Sequence, residues 1–168
     1  MTDERMGDAL LPSITALPRR SAIIFRHYSL APPERRALFV AVKRVARAHR
    51  HMLIAAGGLS LRADGVHGRQ GVRSRGIKTV PVHNPRDIVA ARRSGANLLF
   101  ASPVFSTRSH VGEKPLGRVR FGLMIRNAGV PVIALGGMDA RQARSLAAFG
   151  IYGWAAIDAL TVARHTKL

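Results

Sequence analysis

The chain has 168 residues, 27 basic against 9 acidic side chains, a formal net charge of +18 and no cysteine. Disulfides and thiolate chemistry are therefore excluded. No apolar run approaches the roughly 20 residues that span a bilayer, and the acidic start MTDERMGD is no signal peptide, so a cytoplasmic protein without a membrane partner is expected. The charge does not point to nucleic acid either: 23 arginines against 4 lysines are spread along the chain, and aromatics at 5% are too few for base stacking.

In chain order, residues 22–30 (AIIFRHYSL) form an apolar strand pattern, and 31–50 follow with prolines at the start and Leu38, Val42 and Val45 at helical spacing. Residues 51–58 (HMLIAAGG) form the next strand, then come a short LSLRAD segment and the brief GVHG at 65–68. Strand 77–84 leads to helix 85–96, closed by Gly95; strand 97–105 precedes helix 118–129; strand 131–137 precedes helix 139–149; strand 151–158 ends the run. Strands apolar throughout and joined by amphipathic helices imply parallel pairing with both faces covered.

Seven strands at this spacing favour a (β/α)8 TIM-type barrel over a five-stranded doubly wound sheet. The expected architecture is a single barrel domain, 1–168, lacking most of its first strand. Residues 1–21 then hold the tail of that strand and the first connection. An open barrel edge is an expected place for a second copy of the chain to pair.

In such barrels the site lies at the C-terminal ends of the strands. Those ends carry Arg26-His27-Tyr28-Ser29, His67 with Arg69 and Gln70 beyond it, His83-Asn84, the loop SPVFSTRSHVGEKPLG at 102–117, Gly136-Gly137, and Asp158. Two glycines let a backbone approach an anion closely, and they sit on the penultimate strand, where barrels often hold phosphate. In the 102–117 loop, Ser106, Thr107 and Ser109 can donate to phosphate oxygens while Arg108, His110 and Lys114 balance charge. A tight strand-to-helix turn capped by Asp139 and a solvated loop are the plainer readings of these two stretches. His83 is a candidate proton carrier because imidazole titrates near neutrality. His49, His51 and His165 read as surface residues, and Trp154 as barrel packing. No carboxylate pair stands at a strand end, so no metal ligands are assigned.

The motifs ADGVHGRQ (63–70), VHNPRDIVAARRSGANLLFASPVFSTRSH (82–110), KPLG (114–117), PVIALGGM (131–138) and GWAAIDAL (153–160), in this order and spacing, resemble the thiamine-phosphate synthase and thiazole tautomerase family. The resemblance runs from about residue 22 to 160. It implies a (β/α)8 barrel with a thiazole phosphate near Gly136 and Gly137, and phosphorylated thiazole and pyrimidine molecules as partners. The implied reaction joins a pyrimidine diphosphate to thiazole phosphate and releases pyrophosphate, with Arg26 matching the arginine of the family's glutamine-x-arginine-x-lysine strand.

Thr107 and Ser109 match hydroxyl positions, and His110 stands where the family has lysine. Ile24 and Tyr28 replace the glutamine and lysine. Ala55-Ala56-Gly57 replace an asparagine-aspartate pair, Gly71 or Val72 an aspartate, and Asp158 a serine. The Mg²⁺ expected for the synthases thus loses its usual carboxylates. The tautomerase branch, which moves a proton without a metal, is the alternative, with His83 as its acid/base. A non-catalytic phosphate-binding barrel is the third reading.

Overall fold

The computed structural model describes residues 1–57, 61–68, 76–107 and 114–162. Seven strands are formed among these: β1 (Ala22–Phe25), β2 (Met52–Ala56), β3 (Gly65–His67), β4 (Ile77–Val82), β5 (Leu98–Ala101), β6 (Val132–Leu135) and β7 (Gly153–Ala155). They are hydrogen-bonded in chain order, β1 to β7. The pairs β1–β2, β4–β5, β5–β6 and β6–β7 are parallel. Sequential parallel order needs a crossover between neighbours, and helices supply it. These are α2 (Pro32–Ala48), α3 (Pro85–Arg93), α4 (Gly117–Ile125) and α5 (Ala140–Leu146), preceded by α1 (Leu10–Ala16). The architecture is α/β with seven strands rather than eight among the described residues.

The N-terminal stretch begins alongside β1. Asp3 is extended, and the Thr2 N–H donates to the Ile24 carbonyl at 2.9 Å, so a few residues lie along β1. From Glu4 the chain turns into a 3-10 helix, Glu4–Ala9, and then α1. Met6, Leu10 and Ile14 are buried there in the core of the first unit, on either side of a kink at Gly7.

The chain divides into two compact units, 1–66 with 157–168, and 67–156. In the first, Ile23, Phe25, Leu53 and Ala55 of the strands pack with Phe39, Val42 and Ala46 of α2 and with the N-terminal helices. In the second, Val80, Val82, Leu99, Ala101, Val132 and Ala134 meet Ile88 and Ala91 of α3, Phe121 and Ile125 of α4, and Leu146 of α5. Trp154 packs against this second core, as expected of a packing residue.

Local signals explain the helix starts. Pro32 and Pro33 open α2, where a missing N–H costs nothing. The Asn84 side chain accepts from Asp87 N at 3.0 Å ahead of Pro85, and Asp139 accepts from Gln142 N at 2.8 Å to cap α5. Strands end earlier than the apolar runs suggest: β1 stops at Phe25, just before His27 takes φ +30°, and β5 stops at Ala101.

Phe121 is fully buried at the centre of the second unit. Phe121→Ala is expected to lower the unfolding free energy by about 3–5 kcal/mol in urea titration, the usual cost of an aromatic-to-alanine cavity.

Candidate functional site

The second unit gathers the loop after β5 onto the turn after β6. The Val104 N–H donates to the Leu135 carbonyl at 2.9 Å and the Phe105 N–H to the Gly136 carbonyl at 3.0 Å, so the chain beyond β5 stays hydrogen-bonded to the end of β6. Gly136 and Gly137 both have positive φ, +92° and +60°. A Cβ at Gly136 would stand 2.8 Å from Pro103 Cα, and one at Gly137 would run into the Ser106 carbonyl oxygen and lie 2.8 Å from Phe105 Cβ. The glycine pair is therefore required twice, by its backbone conformation and by the loop seated on it.

His83, just past β4, joins the same loop. Its Nδ1 lies 2.7 Å from the Ser102 carbonyl, and its N–H donates to Asp87 Oδ2 at 2.8 Å. A carbonyl only accepts, so Nδ1 carries the proton, and in the neutral ring Nε2 is left as the basic nitrogen. Ser102 lies within the loop's root, so His83, Ser106, Gly136 and Gly137 are tied together through residues 102–106. Ser106 is exposed and Thr107 half-buried. Ser109 and His110, with Arg69, Gln70, Arg108 and His165, lie outside the described residues.

Arg26 belongs to the first unit, at the end of β1. Its guanidinium stands 4.0 Å from Asp3 and over the Tyr28 ring, 5.7 Å from the centroid. Asp3 also holds Arg5 at 2.7 Å, and these hydrogen bonds and charges keep its carboxyl below the ordinary range despite partial burial. Glu4 accepts from Ser29 N at 2.9 Å. His27 is buried, its Nδ1 3.1 Å from Thr2 Oγ1, and it stacks on Phe25. Burial first, then Arg35 and Arg26, push its pKa down, against the opposing pull of Glu4 and Asp3.

Three histidines differ from expectation. His67 is buried, its Nδ1 2.8 Å from Thr79 Oγ1 and its ring edge-on to Phe100, so it is a packed polar core residue rather than an open strand end. His51 is buried instead of exposed, 3.2 Å from the Ile14 carbonyl, and His49 stacks on it half-buried. Arg35 is a buried cation at the strand ends that a reading of exposed helix starts passes over. Its signal was present, since 35, 39, 42 and 46 share one helical face.

The described residues do not form a Mg²⁺ site of the family's kind. Among the described residues no group of three His, Asp or Glu side chains converges. Asp139 caps α5, Asp87 serves His83 N and Asn84, and Asp64 accepts from Leu53 N. Asp158 falls in a 3-10 turn beyond β7.

Two predictions follow from this geometry. Gly137→Ala is expected to cost about 1–3 kcal/mol for an L residue at positive φ, with a further loss from displacing the Ser106 loop. Gly68→Ala meets nothing within 4 Å and is the neutral control in thermal melts. His27 has its folded pKa below its unfolded one, so the unfolded chain binds more protons and stability falls as pH drops through about 6.5. His51, lowered mainly by burial, adds the same sign. His27→Asn, which tolerates positive φ, should flatten part of this slope between pH 7 and 5 in chemical denaturation.

The profile of the thiamine monophosphate synthase family matches residues 8–160. The chain is 30% identical over 118 residues to a thiamine-phosphate synthase of Lactococcus lactis subsp. cremoris, covering 64% of this chain and 54% of that one. It is 29% identical over 120 residues to one of Geobacillus kaustophilus, covering 65% and 54%. It thus spans about half the length of the curated relatives it matches. A solved thiamine phosphate pyrophosphorylase from Pyrococcus furiosus superposes with a TM-score of 0.76 at 20% identity, over 92% of this chain and 81% of that one, which shows a shared fold. With a profile match over nearly its whole length, the chain belongs to the thiamine monophosphate synthase family.

Proposed function

We propose that the chain is a synthase-type transferase that condenses a pyrimidine diphosphate with thiazole phosphate and releases pyrophosphate. The observation that carries this reading is the seating of the Ser106 loop on Gly136-Gly137. It brings hydroxyl donors and a backbone without side chains to the strand ends where barrels bind phosphate. In this reading Ser106, Thr107, Ser109 and His110 join Gly136 and Gly137 around the thiazole phosphate. Arg26 meets the diphosphate and stabilises the charge that develops as it leaves. The thiazole nitrogen forms the new bond to the pyrimidine's methylene carbon as the carbon–oxygen bond to diphosphate breaks. The sequential strand order supports reading the sheet as the family's (β/α)8 barrel type rather than a doubly wound sheet.

His83 supports a second reading. An imidazole with its proton fixed on Nδ1 by the Ser102 carbonyl offers Nε2 as a base, which is what a thiazole tautomerase needs. Both activities are tested on the same protein. Incubation with pyrimidine diphosphate and thiazole phosphate, with Mg²⁺ added and omitted, is expected to release pyrophosphate. Isomerisation of a thiazole carboxylate phosphate, lost in His83→Ala, would instead assign the tautomerase. Thiazole phosphate binding with neither turnover would overturn both and leave a binding protein.

A further inference from the structure

Arg35 reaches from α2 to the place where the β1–β2 ladder stops. The last paired residues are Phe25 and Ala55, and the carbonyls just beyond, of Arg26 and Ala56, both accept from Arg35 Nη2, the first at 2.9 Å. Arg35 is 6% exposed, and its Nε is buried without a hydrogen-bond partner. No carboxylate pairs with it among the described residues, where Asp3 instead serves Arg5 and Arg26. Its guanidinium lies 5.5 Å from the Tyr28 ring centroid and 5.7 Å from that of Phe25.

Gly57 makes this closure possible. A Cβ there, at φ +84°, would stand 3.1 Å from Tyr28 Cε1 and 3.3 Å from Arg35 Nη2. Tyr28 remains 54% exposed above the buried cation, with the Arg26 guanidinium also near its ring. Carbonyl dipoles and ring faces compensate a buried guanidinium only in part, because full compensation comes from a paired anion.

We propose that Arg35 is a positioning residue for an anionic substrate group: it sets Arg26 and Tyr28 at the ends of β1 and β2, and its buried, unneutralised charge draws the anion there. The ligand class is a planar heterocycle bearing a diphosphate, with the fork of Arg26 for the phosphates and the Tyr28 face for the ring. The inference rests on the reading of Arg26 as the diphosphate ligand and does not require turnover.

The test is calorimetric titration of pyrophosphate alone and thiazole phosphate alone into the wild type, Arg35→Lys and Arg35→Met. Lysine keeps the charge but lacks the planar guanidinium set against the Tyr28 and Phe25 rings, so Arg35→Lys is expected to weaken pyrophosphate about tenfold, and Arg35→Met more. Thiazole phosphate affinity should stay within about twofold, since Arg35 contacts the Arg26 and Ala56 carbonyls and the Tyr28 ring rather than Gly136 or Gly137. Arg35→Lys guards against a folding failure of the methionine variant. A wild type that binds no pyrophosphate, unchanged pyrophosphate affinity in the variants, or parallel weakening of both ligands would overturn the proposal. Arg35-dependent pyrophosphate binding by a protein that turns over nothing would uphold it and remove the synthase reading.

Discussion

The hydrogen bonds that hold the chain beyond β5 against the end of β6 fix the rest of the second unit's site. Val104 and Phe105 donate to the Leu135 and Gly136 carbonyls, and that register leaves no room for a side chain at positions 136 and 137. Everything nearby takes its place from this seat. The Ser106 carbonyl rests over Gly137, the Ser102 carbonyl is turned to His83 Nδ1, and the Leu116 and Gly117 N–H groups return to the Pro103 and Val104 carbonyls as α4 begins. The two glycines thus let the chain beyond β5 pack directly onto the end of β6.

Electrostatically the two units differ. In the proposed function the second handles anions with hydroxyls and backbone around the glycine pair. The first concentrates guanidinium groups, with Arg26 half-buried and Arg35 buried at the ends of β1 and β2. Its few acidic groups near these cations are already engaged: Asp3 with Arg5 and Arg26, Glu4 with the Ser29 N–H.

Much of this was legible in the sequence because the strands are apolar throughout and the helix starts carry strong capping signals such as Asn84-Pro85 and Asp139. The family motifs pointed to the glycine pair and to the 102–117 loop. What periodicity misses is where a strand hands over to a turn. Residues 26–30 look like a continued strand until His27 adopts a positive φ, a choice fixed by its tertiary bond to Thr2 and its stacking on Phe25. His51 looks polar and therefore exposed, yet it is buried with a ring nitrogen 3.2 Å from the carbonyl of Ile14, distant in sequence, and His67 is likewise buried against the Thr79 hydroxyl. Arg35 hides in a run of charged residues whose register, not composition, shows its burial.

The central claim is that the Ser106 loop and Gly136-Gly137 form one phosphate-binding seat. Amide chemical shifts of the isotopically labelled protein, followed as thiazole phosphate is added, test it most directly. The account predicts saturable shifts at the amides of Ser106, Gly136 and Gly137, with Gly68 unmoved. Saturable binding that leaves those three amides in place while others shift would contradict it.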